Sequence, residues 1–536
     1  MTETTEVTAV AAHRRRSVAA VASLAVAVVL AVAGILAATS AARTAGAGGT
    51  VTVLAAAPST LDPAAAGDAG TAAVVAQLYE TLTAYDPDLV LRPALAESWE
   101  IGDGGLLVRF RLRDGLVFSD GSPLTGADVV RSWLRIIDPD QPSPLSSLAL
   151  DIAGAGDYLA GRIDDPAGVG LSATGDVVEV RLARPTDLPA IVSSPIFAIV
   201  PEGFEVGFED PDRFVGSGAY RVAELAADRL VLEANERYWA GPASIGRAVL
   251  VSDVGGRSPV EVFADGEVDY APISSFDASW IAYDRDLGPS LVATPALALD
   301  YYGFDTTEPP FDDARVRRAI SLAVDWRRIV ELGSGGEARP ADSMVPVGIP
   351  GRAPAGPGEG ADIPRARELL AAAGFPDGRG FPTLSIVSGG DGYEGAIAAE
   401  LEAALGIDVS IEVLDYDAYF ARLAEDPPAM WGLSWIADYP SPDDFLGVLL
   451  GSDRSSNYTR WRNEAFDAAI ADAVGARDPA AAAAAYARAE RIVRDEAPAI
   501  PVSYSTGWTL VREGLRGARE NGLGILRLAG LAWEAP

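Results

Sequence analysis

No cysteine and no lysine occurs anywhere in this chain of 536 residues, and its single histidine, His13, lies in the N-terminal tail. These absences remove most of the side chains that proteins use for covalent chemistry. A Cys-His or Ser-His-Asp nucleophile, a Schiff-base lysine, a P-loop lysine and a His/Cys metal cage are all excluded from the body of the chain. Disulfides are excluded as well, so stability has to come from core size, and the roughly 490 residues after the tail suffice for about three ordinary domains. Positive charge is scarce. The 42 basic residues, all arginine, face 76 acidic ones for a formal net charge of −34, which argues against nucleic acid or an anionic membrane surface as partner. What remains suits binding rather than catalysis, with no cofactor and no metal expected.

The tail reads as an export element. Arg14, Arg15 and Arg16 precede an uncharged run, residues 17–39. Its apolar core exceeds the 7–15 or so residues of an ordinary signal h-region and approaches the roughly 20 that span a bilayer. The run is therefore either an uncleaved anchor or a signal cut near Ser40-Ala41-Ala42. Both readings keep the three arginines in the cytoplasm and place the body outside it.

Beyond a short Ala/Gly/Thr linker, strands and helices alternate to the end of the chain, which makes the class mixed α/β. Residues 106–112 set Val108, Phe110 and Leu112 against Arg109 and Arg111 between two Asp-Gly turn signals, the pattern of a half-buried hairpin strand. Residues 177–182 and 230–234 repeat it, so the first half is expected to be rich in antiparallel sheet. The second half changes style. Asp362 with Pro364 announces a helix that Gly374 and Pro376 close; residues 393–405 form another, stopped by Gly406. Residues 407–414 then alternate Ile407, Val409, Ile411 and Val413 on one face, giving a βαβ-like lobe. Asp478-Pro479 opens a helix reaching about Glu496, and residues 499–505 read as an apolar strand. Thr125 and Asp128 have capping-box spacing, Gly216-Ser217-Gly218 reads as a tight turn, and Trp99, Trp133 and Trp239 read as core.

Several segments together carry a family resemblance. Ser59-Thr60-Leu61-Asp62-Pro63 is followed by Gln77-Leu78-Tyr79-Glu80-Thr81-Leu82, and Pro93-Ala94-Leu95-Ala96-Glu97-Ser98-Trp99 runs into Phe110-Arg111-Leu112-Arg113-Asp114-Gly115 and Phe118-Ser119-Asp120-Gly121-Ser122-Pro123-Leu124-Thr125. Gly216-Ser217-Gly218-Ala219-Tyr220, Tyr238-Trp239, Gly266-Glu267-Val268-Asp269 and Val316-Arg317-Arg318-Ala319-Ile320 continue the series in order. Colinear along nearly the whole body, they resemble the extracytoplasmic solute-binding proteins of ABC importers, specifically the oligopeptide and dipeptide-binding family. The resemblance implies a two-lobed, periplasmic-binding-protein-like α/β fold of the large class, with a satellite domain and a hinge. Carried over, its layout gives a tail at 1–43, lobe I at 45–90, 215–304 and 506–536, the satellite at 91–214 and lobe II at 305–505. Crossings between the lobes are expected near 302–306 and 503–509. The implied function is capture of a peptide or another small solute by a monomer that delivers it to membrane permease subunits.

One segment stands out as a site. Trp435-Ile436-Ala437-Asp438-Tyr439 matches the family stretch whose aspartate pairs with the ligand's free α-amino group, so the resemblance implies a ligand role for Asp438, flanked by Trp435 and Tyr439. Read without it, Asp438 is an ordinary turn or cap aspartate. Tyr416 and Tyr504 align with cleft-lining aromatics, core tyrosine being the alternative for each. Residues 55–59, through Ala57 and Ser59, are implied to offer backbone groups to an extended ligand. Counterparts for the family's contacts to a peptide C-terminus are not visible, and neither is a lipid-bearing cysteine. The rival readings are the same fold binding an oligosaccharide, an opine-like compound or a metal chelate, a carboxylate-based acid hydrolase, and a tethered sensor.

Overall fold

The computed structural model describes residues 49–534 except 205–212, 335–337, 354–359, 391, 455 and 477, together with the side chains of 416, 417 and 424. The N-terminal apolar run therefore lies outside the described residues. Among the described residues no helix is long and apolar enough to cross a membrane.

Strand β1 (Thr50–Leu54) leads into α1 (Ala69–Leu78). The hairpin patterns then produce a separate antiparallel sheet, β2 (Ala96–Gly102), β3 (Leu107–Leu112), β4 (Leu171–Thr174) and β5 (Val177–Arg181), in the order β2-β3-β5-β4. Val108, Phe110 and Leu112 point into its core while Arg109 and Arg111 stay exposed, as alternation requires. Across that core lies α2 (Gly126–Ile136), opened by the expected capping box, in which the Thr125 N–H donates to Asp128 Oδ2 at 2.7 Å. Trp133 is buried and donates to the Phe197 carbonyl at 2.9 Å; Trp99 and Trp239 pack at the margin of the same cluster.

Strands β6 (Tyr220–Leu225), β7 (Arg229–Ala234), β8 (Arg247–Val251) and β9 (Tyr270–Ile273) join β1 in lobe I. The glycines just before β6 are not explained by a left-handed turn. A Cβ on Gly218 would sit 2.5 Å from the Gln77 carbonyl oxygen and 2.6 Å from the Tyr79 nitrogen, and one on Gly216 would sit 2.3 Å from the Leu78 oxygen. Glycine is required because two backbones touch, and backbone cannot give way. Gly218→Ala is therefore expected to lose about 3 kcal/mol or more in chemical unfolding. By contrast Gly395→Ala, in a helix and with nothing within 4 Å of the added carbon, should gain about 0.5–1 kcal/mol.

The second half adds β10 (Leu291–Phe304), α3 (Ala314–Ala323), β11 (Ala338–Pro340), α4 (Ile363–Ala372), β12 (Leu384–Ser388), α5 (Glu394–Leu405), β13 (Val409–Val413), α6 (Tyr416–Glu425), β14 (Met430–Ile436), α7 (Pro479–Glu496) and β15 (Ala499–Val511). The punctuation behaves as expected: the Asp362 carboxylate accepts from the Arg365 N–H at 3.0 Å, and Gly406 ends α5 at φ 69°. Strands β12 and β13 are parallel with α5 between them, a βαβ unit. The apolar alternation of β13 is only half buried. Ile407 and Val409 reach the lobe II core, whereas Ile411 and Val413 are 44% and 57% exposed, because β13 is the outer strand of the sheet.

One large sheet unites both lobes in the order β13-β12-β14-β10-β15-β9-β1-β8-β7-β6, with β11 added against β15. Strands β10 and β15 run through both. In lobe I, Leu291 to Pro295 pair with Leu510 to Thr506; in lobe II, Leu299 to Gly303 pair with Tyr504 to Ala499, and the register breaks between Pro295 and Leu299. The first crossing expected at 302–306 falls inside the ladder of β10 with β14, where Tyr302 faces Gly432 and Phe304 faces Met430. We therefore assign the crossings to 295–298 and 505–506, the second lying within the span expected.

Candidate ligand-binding site between the lobes

Strand β14 is covered on one side only. Along β10 it pairs from Phe304↔Met430 to Ala298↔Ile436, but on the other side β12 reaches only Met430 and Trp431. Past Trp431 that edge has no strand partner among the described residues. Backbone groups alternate between the two edges of a strand. Ala437 donates to the Leu297 carbonyl on β10 at 2.8 Å, and the Gly432 carbonyl accepts from the Tyr419 hydroxyl on the opposite side. The peptide groups of Ser434 and Ile436 consequently face the uncovered edge, and Ile436 is 58% exposed.

Two residues on stands Asp438, half-buried. Its position is held by Asp444, which is fully buried in the short helix Pro442–Phe445. Asp444 Oδ2 accepts from the Trp435 indole N–H at 3.0 Å and from the Asp438 N–H at 3.2 Å, while its Oδ1 has no partner among the described residues. Tyr439 is buried in the satellite core, its hydroxyl donating to Asp443 Oδ2 at 3.0 Å, and part of it also lines the cavity that Asp438 faces. Asp438 and Trp435 share a cavity of about 150 Å³ with Arg454 of lobe II and Leu148, Asp151 and Arg184 of the satellite. Arg454 meets Asp151 at 3.2 Å, and Arg184 meets the same carboxylate at 2.5 Å, so an ion-pair chain joins satellite to lobe II beside Asp438.

Burial makes charge expensive here. It pushes Asp438 up to about 6 and Asp444 well above the usual carboxylate range, the latter reinforced by Asp438 itself. Asp444 is thus the harder of the two to ionise, and Asp438 is the one that borders the cavity. A carboxyl that binds its proton more tightly when folded contributes stability that is full below its ordinary value of 3.8 and lost as pH rises through about 6. The stability advantage of Asp438→Asn over the unliganded parent is therefore expected to grow from about pH 4 to about pH 7 in chemical unfolding.

The remaining sequence-derived residues are dispersed. Ala57 is exposed just beyond β1. Ser59 is exposed beside it, and its N–H donates to Thr71 Oγ1 at 3.0 Å, within the network that opens α1. Tyr504 is 5% exposed in the lobe II core, its hydroxyl donating to the Ser343 carbonyl at 2.7 Å and accepting from the Ser343 N–H at 3.1 Å. Tyr416 opens α6, and its side chain lies outside the described residues. Sequence reasoning missed the uncovered edge at Ser434 and Ile436 and the role of Asp444; the only signal for the edge was the polar Ser434 inside an otherwise apolar strand.

Residues 90–457 match the model of the bacterial extracellular solute-binding proteins, family 5 Middle. The chain belongs to this family. Among its relatives, the probable deoxycholate-binding periplasmic protein YgiS of Escherichia coli K12 is 30% identical over 471 residues, covering 83% of this chain and 86% of that one. The periplasmic murein peptide-binding protein MppA of the same organism is 29% identical over 482 residues, covering 86% and 88%. The solved unliganded open form of MppA superposes with a TM-score of 0.79 at 24% identity, covering 91% of this family 5 chain and 98% of MppA.

Proposed function

We propose that this protein is the substrate-binding component of an ABC importer and captures short peptides with a free α-amino group between its lobes. The observation that carries the reading is the uncovered edge of β14, which ends two residues before Asp438. An extended peptide added to that edge exchanges hydrogen bonds with Ser434 and Ile436 whatever its side chains. Its ammonium group then meets the Asp438 carboxylate in a cleft of low dielectric, where a charge-assisted bond is strong. Trp435 flanks the amine position, and the exposed segment that carries Ala57 and Ser59 closes over the ligand from lobe I. Tyr439, Tyr504 and Asp444 act as supports. Closure occurs by dihedral change at the 295–298 and 505–506 crossings, and the closed monomer is read by the permease. The body works outside the cytoplasm, with residues 17–39 as anchor or export signal.

The name of the murein peptide-binding relative supports a peptide ligand. A deoxycholate-like ligand fits less well, because its carboxylate would meet Asp438 with like charge. A thermal-shift screen with short-peptide pools, free and N-acetylated, tests the reading. Free peptides at about 100 times their Kd should stabilise the protein by about 2.7 kcal/mol, with acetylated ones giving far less. Absence of any shift would overturn the peptide assignment while leaving family membership intact, and would direct the search to sugars and chelates.

A further inference from the structure

A second cavity between the lobes, of about 410 Å³, lies against the β10 and β15 strands and is lined by Asp300, Tyr393 and Ser505 of lobe II and by Ile273, Ser275 and Trp508 of lobe I. Its chemistry is set by the sheet register. Asp300 on β10 stands opposite Ser434 on β14 and Ser503 on β15. Both serine hydroxyls donate to the Asp300 carboxylate, one to each oxygen. With their hydrogens committed, the two serines keep only acceptor lone pairs, and among the described residues no arginine lies within ion-pair distance of Asp300. Asp300 is thus the one acidic residue of the lining among the described residues, held in place by two serines that are not themselves part of the wall. Its walls include Tyr393 and Trp508, and the Trp508 indole N–H has no hydrogen-bond partner among the described residues.

We propose that the Asp300–Ser434–Ser503 cluster is a specificity site for a cationic side chain, guanidinium or ammonium, on the bound peptide. The proposal rests on the peptide reading above and adds the class of residue selected. A cation supplies the opposite charge that Asp300 lacks and can donate to the remaining lone pairs of its carboxylate. Closing the lobes over a neutral side chain instead leaves the Asp300 carboxylate without a countercharge away from water, which penalises such ligands. Placement agrees with the amine site. Ser434 precedes Asp438 by four residues, about 13 Å of strand, so a peptide anchored at Asp438 and extended along β14 brings its fourth or fifth residue level with Asp300.

The test is isothermal titration of pentapeptides with free N-termini, in which one position at a time carries arginine or its neutral isostere citrulline. At the fourth or fifth position arginine is expected to bind at least tenfold tighter than citrulline. Asp300→Asn should erase that difference from both sides, weakening the arginine peptide and, with the stranded charge gone, tightening the citrulline peptide. Equal binding of the two peptides to the parent protein at every position overturns this proposal and leaves the peptide reading standing; this comparison needs no variant. An arginine preference that survives in Asp300→Asn overturns it as well. If neither peptide binds at any position, the peptide reading falls and this inference falls with it.

Discussion

Asp438→Asn should weaken binding of free-amine peptides by about 2–5 kcal/mol, roughly 30-fold to several thousandfold in Kd, because truncating one partner of a desolvated charge pair leaves the other uncompensated. Asparagine keeps the shape and the hydrogen-bonding reach of the side chain, so lost affinity reports charge and not collapse of the site. N-acetylated peptides supply the second arm of the cycle: they have already lost the ammonium and should bind the parent and the variant alike. The pH dependence gives an independent reading. Since burial holds Asp438 at about 6 in the unliganded protein, affinity of the parent for free-amine peptides should fall as pH is lowered through that value, with proton release on binding. The asparagine variant should show a flat profile across the same range. Equal losses for free and acetylated peptides would mean that Asp438 shapes the loop without meeting the amine.

The largest loss of stability from a single side chain is expected at Arg317. On α3 it is 2% exposed, yet its Nε donates to the carbonyls of Glu496 at 3.0 Å and Ala497 at 3.2 Å, and its Nη1 to the carbonyl of Phe311 at 2.5 Å. Two of these acceptors lie at the C-terminal end of α7, where Ala497 adopts φ 45° and the orphan carbonyls of the last turn need donors. A cation there also meets the negative end of the helix dipole. Arg317→Ala removes all three bonds at once and leaves buried acceptors unpaired, at a cost of about 3–5 kcal/mol. Arg365→Ala is the control: its pair with Glu368 at 2.9 Å is solvent-exposed, and the change should stay within about 0.5 kcal/mol. Urea unfolding measures both, and an Arg317 variant no less stable than the control would show that water satisfies those carbonyls.

The two halves of the site differed in legibility. Asp438 could be proposed from the sequence because Trp435-Ile436-Ala437-Asp438-Tyr439 is a contiguous string whose resemblance to a family stretch implies a role. Asp300 was not, since an aspartate between Leu299 and Tyr301 in an apolar strand has no local signature. The two serines that define its chemistry lie 134 and 203 residues away along the chain. Gly216 and Gly218 show the same divide. Their identity signalled a backbone constraint, but whether that constraint was a turn or a close approach depended on where α1 ended in space.

By itself the sequence determined the helix limits, the strand alternation, the capping box at Thr125 and Asp128 and the binding-protein class. The first three are written in residues a few positions apart, where propensity, capping and periodicity act, while the class is carried by a family resemblance of motifs spread in order along the body. Only the tertiary structure decided where the chain crosses between lobes, which edge of β14 stays uncovered and which side chains meet Asp300. Those depend on strand register, and register is settled by pairing between segments far apart in the chain, to which no local pattern is sensitive.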